Sequence, residues 1–206
     1  MTSSGNWSRR CRPSTFSNCN VELNTHIRSD QKKHGSMGEP LLEVQILPFE
    51  GTQQRDLEAL IEELALLGIE ATMLPKASIE APSYNRQRRQ YNAEILLDRV
   101  RLAPGHRVLG VTSRDLYVEG LNFVFGLADS PGKAAVISLH RLSAGTDETT
   151  FRARAVKEAV HELGHTRGLG HCADPRCVMA FSNSLADTDH KGKEFCSRCA
   201  YKLRGH

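Results

Sequence analysis

The residues most able to do chemistry lie in one run, His161-Glu162-Leu163-Gly164-His165-Thr166-Arg167-Gly168-Leu169-Gly170-His171. His161 and His165 are four residues apart, so on an α-helix they project from one face and can bind one ion through imidazole nitrogens. Gly168 can adopt the left-handed backbone that ends a helix, which allows His171 to return to the same ion. Three protein ligands with one open position are typical of catalytic zinc.

Glu162 directly follows the first of these histidines, where its carboxylate can reach a metal-bound water without itself binding the metal. That is the position of a general base. The pattern predicts hydrolysis of a peptide bond, in which Glu162 takes the proton of the water and passes it to the leaving nitrogen. An amphipathic helix with solvated histidines would also carry His161 and His165, but Gly168 and His171 at their set positions favour the metal site.

Four cysteines follow closely: Cys172, Cys177, Cys196 and Cys199. Their spacing, C-x4-C and then C-x2-C, is close to the paired pattern of a four-thiolate zinc site. We therefore expect a second, structural Zn²⁺, and two zinc ions per chain. Two disulfides are the alternative, and they would require an oxidising compartment.

Two neighbouring residues extend this interpretation. Because Cys172 is adjacent to His171, we hypothesise that the structural ion anchors the segment that presents the third catalytic ligand. Met179 lies eight residues beyond His171. A methionine alone is adaptable core filling, but after this motif it occupies the place of the Met-turn, a hydrophobic floor under the metal.

The elements that must position these residues follow from apolar periodicity. Apolar or alternating runs predict strands at 41–48, 69–74, 106–112, 122–125 and 134–140. Helical spacing predicts helices at 52–67, capped by Thr52, and at 84–102, 147–167 and 197–203. Arg86, Arg88 and Arg89 are assigned to the solvated face of the second helix. The strand at 134–140 is the expected edge for an extended substrate, and we expect no catalytic role for His140 at its end.

Composition limits the remaining possibilities. At 206 residues with 39% hydrophobic content, the chain is long enough for one catalytic domain, expected at 39–206. Residues 1–38 lack apolar periodicity and are expected to be a disordered extension. Residues 1–36 carry six Lys and Arg against two Asp and Glu, so the net charge of +3 belongs to the extension and nucleic-acid binding is not expected. No apolar run suits a membrane span or a signal peptide, and we expect a cytoplasmic monomer.

The run from His161 to Cys199 resembles the archaemetzincins, a metzincin-related family that combines the long zinc motif, the methionine and four downstream cysteines. The order of elements over residues 40–206, including Asn122-Phe123-Val124-Phe125-Gly126, is also similar. The resemblance implies an α/β zincin fold, in which a twisted mixed β-sheet is backed by helices. It also implies a catalytic Zn²⁺ on His161, His165 and His171 beside a four-cysteine zinc.

The function expected from this resemblance is that of a zinc metallopeptidase acting on peptides or proteins. The alternative is a latent or inactive zincin that serves as a zinc-stabilised binding module. The presence of Glu162 argues against an inactive site.

Overall fold

The computed structural model describes residues 41–204. The expected extension at 1–38 lies outside these residues. The strands are β1 (Leu42–Pro48), β2 (Ile69–Met73), β3 (Tyr84–Asn85), β4 (Gln90–Asn92), β5 (Val108–Thr112), β6 (Leu116–Tyr117), β7 (Gly126–Ala128) and β8 (Ala134–Ser138). The helices are α1 (Gln54–Leu66), α2 (Ala93–Arg101), α3 (Leu139–Leu142), α4 (Glu148–Thr166), α5 (Leu185–His190) and α6 (Ser197–Leu203).

The main sheet has five strands in the order β2-β1-β5-β8-β7. The first four are parallel, and β7 closes the sheet as an antiparallel edge strand. Every residue of β5 and β8 is buried, as expected for parallel strands covered on both faces. A second, smaller sheet has three strands in the order β3-β4-β6.

Two apolar clusters cover the faces of the main sheet. One packs α1 and α4 against the sheet through residues such as Leu57, Leu64 and Leu163. The other packs α2 against it through Leu97 and Val100. The predicted mixed sheet backed by helices is therefore confirmed.

The helix α4 carries the first two histidines, and specific residues determine where it begins and ends. At the start, the side chain of Asp147 accepts a hydrogen bond from the backbone N–H of Thr150 at 2.8 Å. At the end, Arg167 is the C-cap and Gly168 has a φ of +79°, which only glycine adopts without strain. This turn directs the chain back towards the face of α4 that bears the histidines.

The prediction of one helix at 84–102 was wrong in its first half. Asn85 accepts hydrogen bonds from the backbone of Gln87 and Arg88, and Arg89 adopts a positive φ of 57°, so this part forms a turn between β3 and β4. The helix begins only after Asn92, whose side chain caps it. Arg86 and Arg89 are exposed as expected, whereas Arg88 is half-buried and donates to the carbonyls of Leu121 and Asn122.

The predicted substrate edge at 134–140 was also wrong. β8 lies between β5 and β7, so the edge strand is β7. β7 begins at Gly126, four residues beyond the start of the strand predicted at 122–125. His140 lies in α3 rather than in a strand.

Thr52 does not cap α1; its hydroxyl donates to Val111 O at 3.2 Å, and the N-cap is Gln53. Within residues 41–204, no helix has both the length and the apolar character that a membrane crossing requires.

A buried ion pair connects the middle of α4 to α5. The guanidinium of Arg154 donates to both carboxylate oxygens of Asp189, at 2.7 Å each, and to the carbonyls of Leu142 and Ala144 at 3.2 Å. The Arg154 side chain is 9% exposed, whereas that of Asp189 is 42% exposed. This pair holds α5 on the helix that carries the histidines.

Replacing Arg154 with Met should lower the free energy of unfolding by about 2–3 kcal/mol, because two backbone carbonyls and one carboxylate lose a charged donor. The expected loss of free energy is smaller than for a fully buried pair because Asp189 is half exposed. Arg152→Met is the matched control on the same helix, since its pair with Glu148 is exposed and should leave the unfolding midpoint nearly unchanged. Urea unfolding followed by far-UV circular dichroism measures both, and equal midpoints for the two variants would contradict the prediction.

Candidate metal centre and catalytic residues

Three histidines converge at the carboxyl end of α4. His161 is buried, His165 is partly buried and His171 is exposed, and one ring nitrogen of each lies within 4.8 Å of the others. His161 and His165 come from successive turns of α4, and His171 comes from the segment that follows the turn at Gly168. The structure therefore brings the three sequence-predicted ligands to one point.

The hydrogen bonds of the first two histidines determine which nitrogen is free. His161 Nδ1 lies 2.8 Å from Val178 O, and His165 Nδ1 lies 2.7 Å from Leu169 O. A carbonyl oxygen only accepts, so both Nδ1 atoms carry the proton, and both Nε2 atoms of the neutral rings present lone pairs.

These two Nε2 atoms lie only 3.1 Å apart. Two lone pairs at this distance repel unless a cation lies between them. Zinc–nitrogen bonds of about 2.0–2.1 Å place two ligands of one tetrahedral ion roughly 3.3 Å apart, so the spacing fits a shared zinc. The donor set therefore fits the metal that the sequence predicts.

The electrostatics of the histidines also suit a metal. Burial, and next the positive charge of Lys191, lower the pKa of His161 to about 3. Burial likewise lowers the pKa values of His165 and His171. All three rings are therefore neutral near pH 7, which is the form that binds metal ions.

Glu162 lies in the cavity that also contains the histidines, which has a volume of about 420 Å³. Burial raises its pKa well above the usual range, and the charge of Glu158 adds to this effect. A carboxylate whose pKa is raised towards the working pH is suited to take up and release a proton.

The edge strand β7 fixes the position of Glu162. A Cβ atom added at Gly126 would lie 2.6 Å from Cγ and 2.7 Å from Oε1 of Glu162. Only a glycine allows this side chain to pack directly on the strand. The same argument applies below the histidines, where a Cβ at Gly164 would collide with the sulfur of Met179. Met179 is fully buried, so it forms an apolar floor under this turn of α4.

The four late cysteines also meet in one cluster. The sulfur atoms of Cys172, Cys177, Cys196 and Cys199 all lie within 4.8 Å of one another. Cys172 and Cys196 have their sulfurs 3.8 Å apart, nearly twice the disulfide bond length of about 2.05 Å. This separation fits one edge of a tetrahedral site with zinc–sulfur bonds of about 2.3 Å.

The pKa values of Cys172, Cys177 and Cys199 are shifted in different directions. A hydrogen bond from Arg198 lowers the pKa of Cys172 to about 6. Burial raises the pKa values of Cys177 and Cys199. Burying several thiolates together is unfavourable unless a cation neutralises them, and a divalent ion reverses this effect of burial.

Two further residues, which the sequence analysis did not identify, reach the histidine site. Lys191 Nζ lies 3.4 Å from His161 Nδ1 and 3.9 Å from Glu158 Oε2, and both Lys191 and Glu158 are buried. Glu158 precedes Glu162 by one helical turn, so helical spacing could have identified it. Lys191 is thirty residues from His161, and no local pattern relates the two.

Comparison with known proteins agrees with this geometry. The model of peptidase family M54 matches residues 62–205. An archaemetzincin of Methanopyrus kandleri is 50% identical over 131 residues, which are 63% of this chain and 74% of the relative. An archaemetzincin of Archaeoglobus fulgidus is 46% identical over 140 residues, which are 68% of this chain and 84% of the relative.

Solved structures of the same two relatives share the fold. The crystal structure of the Methanopyrus kandleri archaemetzincin superposes with a TM-score of 0.73 at 41% identity, covering 82% of this chain and 96% of that one. The Archaeoglobus fulgidus structure, a complex with malonate, gives a TM-score of 0.69 at 41% identity, covering 78% of this chain and 98% of that one. The expected zincin fold is thereby confirmed. The chain therefore belongs to peptidase family M54, with the archaemetzincins, and is a zinc metallopeptidase.

Proposed function

We propose that this chain hydrolyses peptide bonds at a zinc ion held by His161, His165 and His171, with Glu162 as the general base. The observation that carries the proposal is the 3.1 Å separation of two unprotonated imidazole nitrogens. Zinc at such a site polarises a carbonyl group and makes water more acidic. Glu162 accepts the proton of the attacking water on its carboxylate and delivers it to the leaving nitrogen.

The free edge of β7 is the proposed binding site for the substrate backbone. Phe125 O accepts from Ser138 N, and Asp129 N donates to Ala134 O, so both of these residues bond towards β8. The alternation of antiparallel pairing turns the backbone N–H and C=O of Gly126 and Ala128 to the opposite side, where an extended peptide can pair with them. The peptide would then lie beside Glu162, which packs on Gly126.

We propose a second, structural zinc on Cys172, Cys177, Cys196 and Cys199, within the same catalytic domain. Its support is the close approach of four thiols that form no disulfide. A zinc–thiolate site of this kind fits a reducing compartment, and a cytoplasmic location is proposed on that ground.

The two metal sites are proposed to depend on each other through two links. One is the adjacency of His171 and Cys172. The other is the segment that follows Cys177, because the carbonyl of its neighbour Val178 accepts the hydrogen bond from His161. The thiolate site thus holds both a ligand and the group that orients another ligand.

Changing Glu162 to Ala should abolish peptide cleavage and leave two zinc ions per chain, because Glu162 acts on the proton and not on the metal. Elemental analysis and cleavage of a peptide library measure the two properties. Full activity of the variant would remove Glu162 from the mechanism. Wild-type protein with two zinc ions and no cleavage would favour the latent binding module instead.

Changing Gly126 to Ala should reduce kcat/KM by about 100-fold at unchanged zinc content, because the new methyl group displaces the Glu162 carboxylate. Gly170→Ala is the matched control, since a Cβ there meets no atom within 4 Å. Steady-state kinetics on one peptide substrate compare the two variants. Similar rates for both would show that contact with Gly126 does not position the base.

Replacing Cys196 and Cys199 with Ser should weaken zinc binding at the three histidines by at least about tenfold, because second-sphere support is typically worth this much. The control replaces Cys11 and Cys19, which lie outside the described residues, with Ser. Competition against a chromogenic chelator measures the affinity. An unchanged affinity of the histidine site would refute the dependence of one site on the other.

A further inference from the structure

The inner wall of the catalytic cavity contains polar atoms whose hydrogen-bonding capacity is unused. Among residues 41–204, three buried side-chain polar atoms have no hydrogen-bond partner: Gln45 Oε1, Glu158 Oε2 and Ser182 Oγ. Two of the three, on Glu158 and Ser182, belong to residues that line this one cavity. Buried polar atoms are nearly always paired, so this concentration indicates a polar group that binds there.

Lys191 lines the same cavity and is also incompletely paired. Its side chain is 1% exposed, yet its ammonium has three donors. Ala180 O lies at 3.5 Å, a long hydrogen bond, and Glu158 Oε2 lies at 3.9 Å. The Nδ1 atom of His161 at 3.4 Å is no acceptor, because its proton is bonded to Val178 O. The ammonium therefore has capacity for a further acceptor.

The mouth of the cavity is apolar by contrast. Phe123, Val124 and Leu127 line it, and at its rim Leu121 is 54% exposed and Phe181 is 62% exposed. A substrate side chain entering here passes between hydrocarbon groups before it reaches the buried charges. The cavity thus suits a side chain with an apolar stem and a polar end.

We propose that Glu158, Ser182 and Lys191 form a polar subsite that binds the carboxamide of a glutamine side chain flanking the scissile bond. This inference rests on the proposed peptidase function and names its substrate class. The carboxamide oxygen accepts from the Lys191 ammonium, while its NH₂ group donates to Glu158 Oε2. Ser182 Oγ can act as donor or acceptor towards the same group.

Other side chains satisfy this subsite less completely. A carboxylate would pair with Lys191 but has no N–H to donate to Glu158 Oε2. A lysine or arginine side chain would pair with Glu158 but would face the Lys191 ammonium. An aliphatic side chain would leave Glu158 Oε2 without a donor and the Lys191 ammonium with only its long contacts, which is the larger penalty in a site built for hydrogen bonds.

The test measures binding, by isothermal titration calorimetry of short hydroxamates with the zinc-loaded full chain. The compounds share the chelating group and differ in one side chain, which is carboxamidoethyl, carboxyethyl, isobutyl or aminobutyl. We expect the carboxamidoethyl compound to bind about tenfold more tightly than each of the others. Equal affinities across the series, or tighter binding of any of the other three compounds, would overturn the subsite while leaving the zinc site intact. Failure of every compound to bind would overturn the proposed zinc site and the subsite together.

Two variants assign the preference to its residues. Lys191→Met and Glu158→Gln should each reduce the advantage of the carboxamidoethyl compound to less than about twofold. Lys193→Met is the matched control and should keep the full advantage, because Lys193 pairs with Glu63 at 3.2 Å away from the cavity. Retention of the advantage in both folded subsite variants would overturn the assignment. The ranking on the wild-type chain tests the subsite even if a variant fails to fold.

Discussion

Two imidazole nitrogens that face each other at 3.1 Å are the constraint on which this site depends. Each neutral ring donates its one N–H to a backbone carbonyl, so neither can turn the contact into a hydrogen bond. The surrounding structure holds both rings in this unfavourable arrangement. The helix α4 carries both histidines, and the segment around Val178 fixes the ring of His161. Two neutral nitrogens held in this way suit one shared cation, which is the basis of the zinc site proposed above.

The convergence of the three histidines and of the four cysteines could be predicted from the sequence because it is encoded by local spacing. His161 and His165 are one helical turn apart, Gly168 ends the helix, and the paired cysteines have the spacing of a thiolate site. The strongly periodic elements β1, β2, α4 and α6 could be predicted for the same reason. Asp147 marks the start of α4 through its side chain, and Gly168 marks its end.

Contacts between distant segments could not be predicted in this way. Arg88 was assigned to the solvated face of a predicted helix, yet its partners are carbonyls more than thirty residues away. The edge strand was misplaced because apolar alternation does not reveal which strands flank a given strand. Lys191 reaches the site through the position of α5, which itself depends on the pairing of Arg154 with Asp189.

Three consecutive residues each serve a different neighbour. Cys177 contributes a thiol to the cysteine cluster, Val178 presents its carbonyl to His161, and Met179 lies under Gly164. Adding or deleting a single residue in this stretch would move all three groups out of place together. Variation in length among members of the family should therefore be confined to other parts of the chain, because this tripeptide sets the distance between the three histidines and the cysteine cluster.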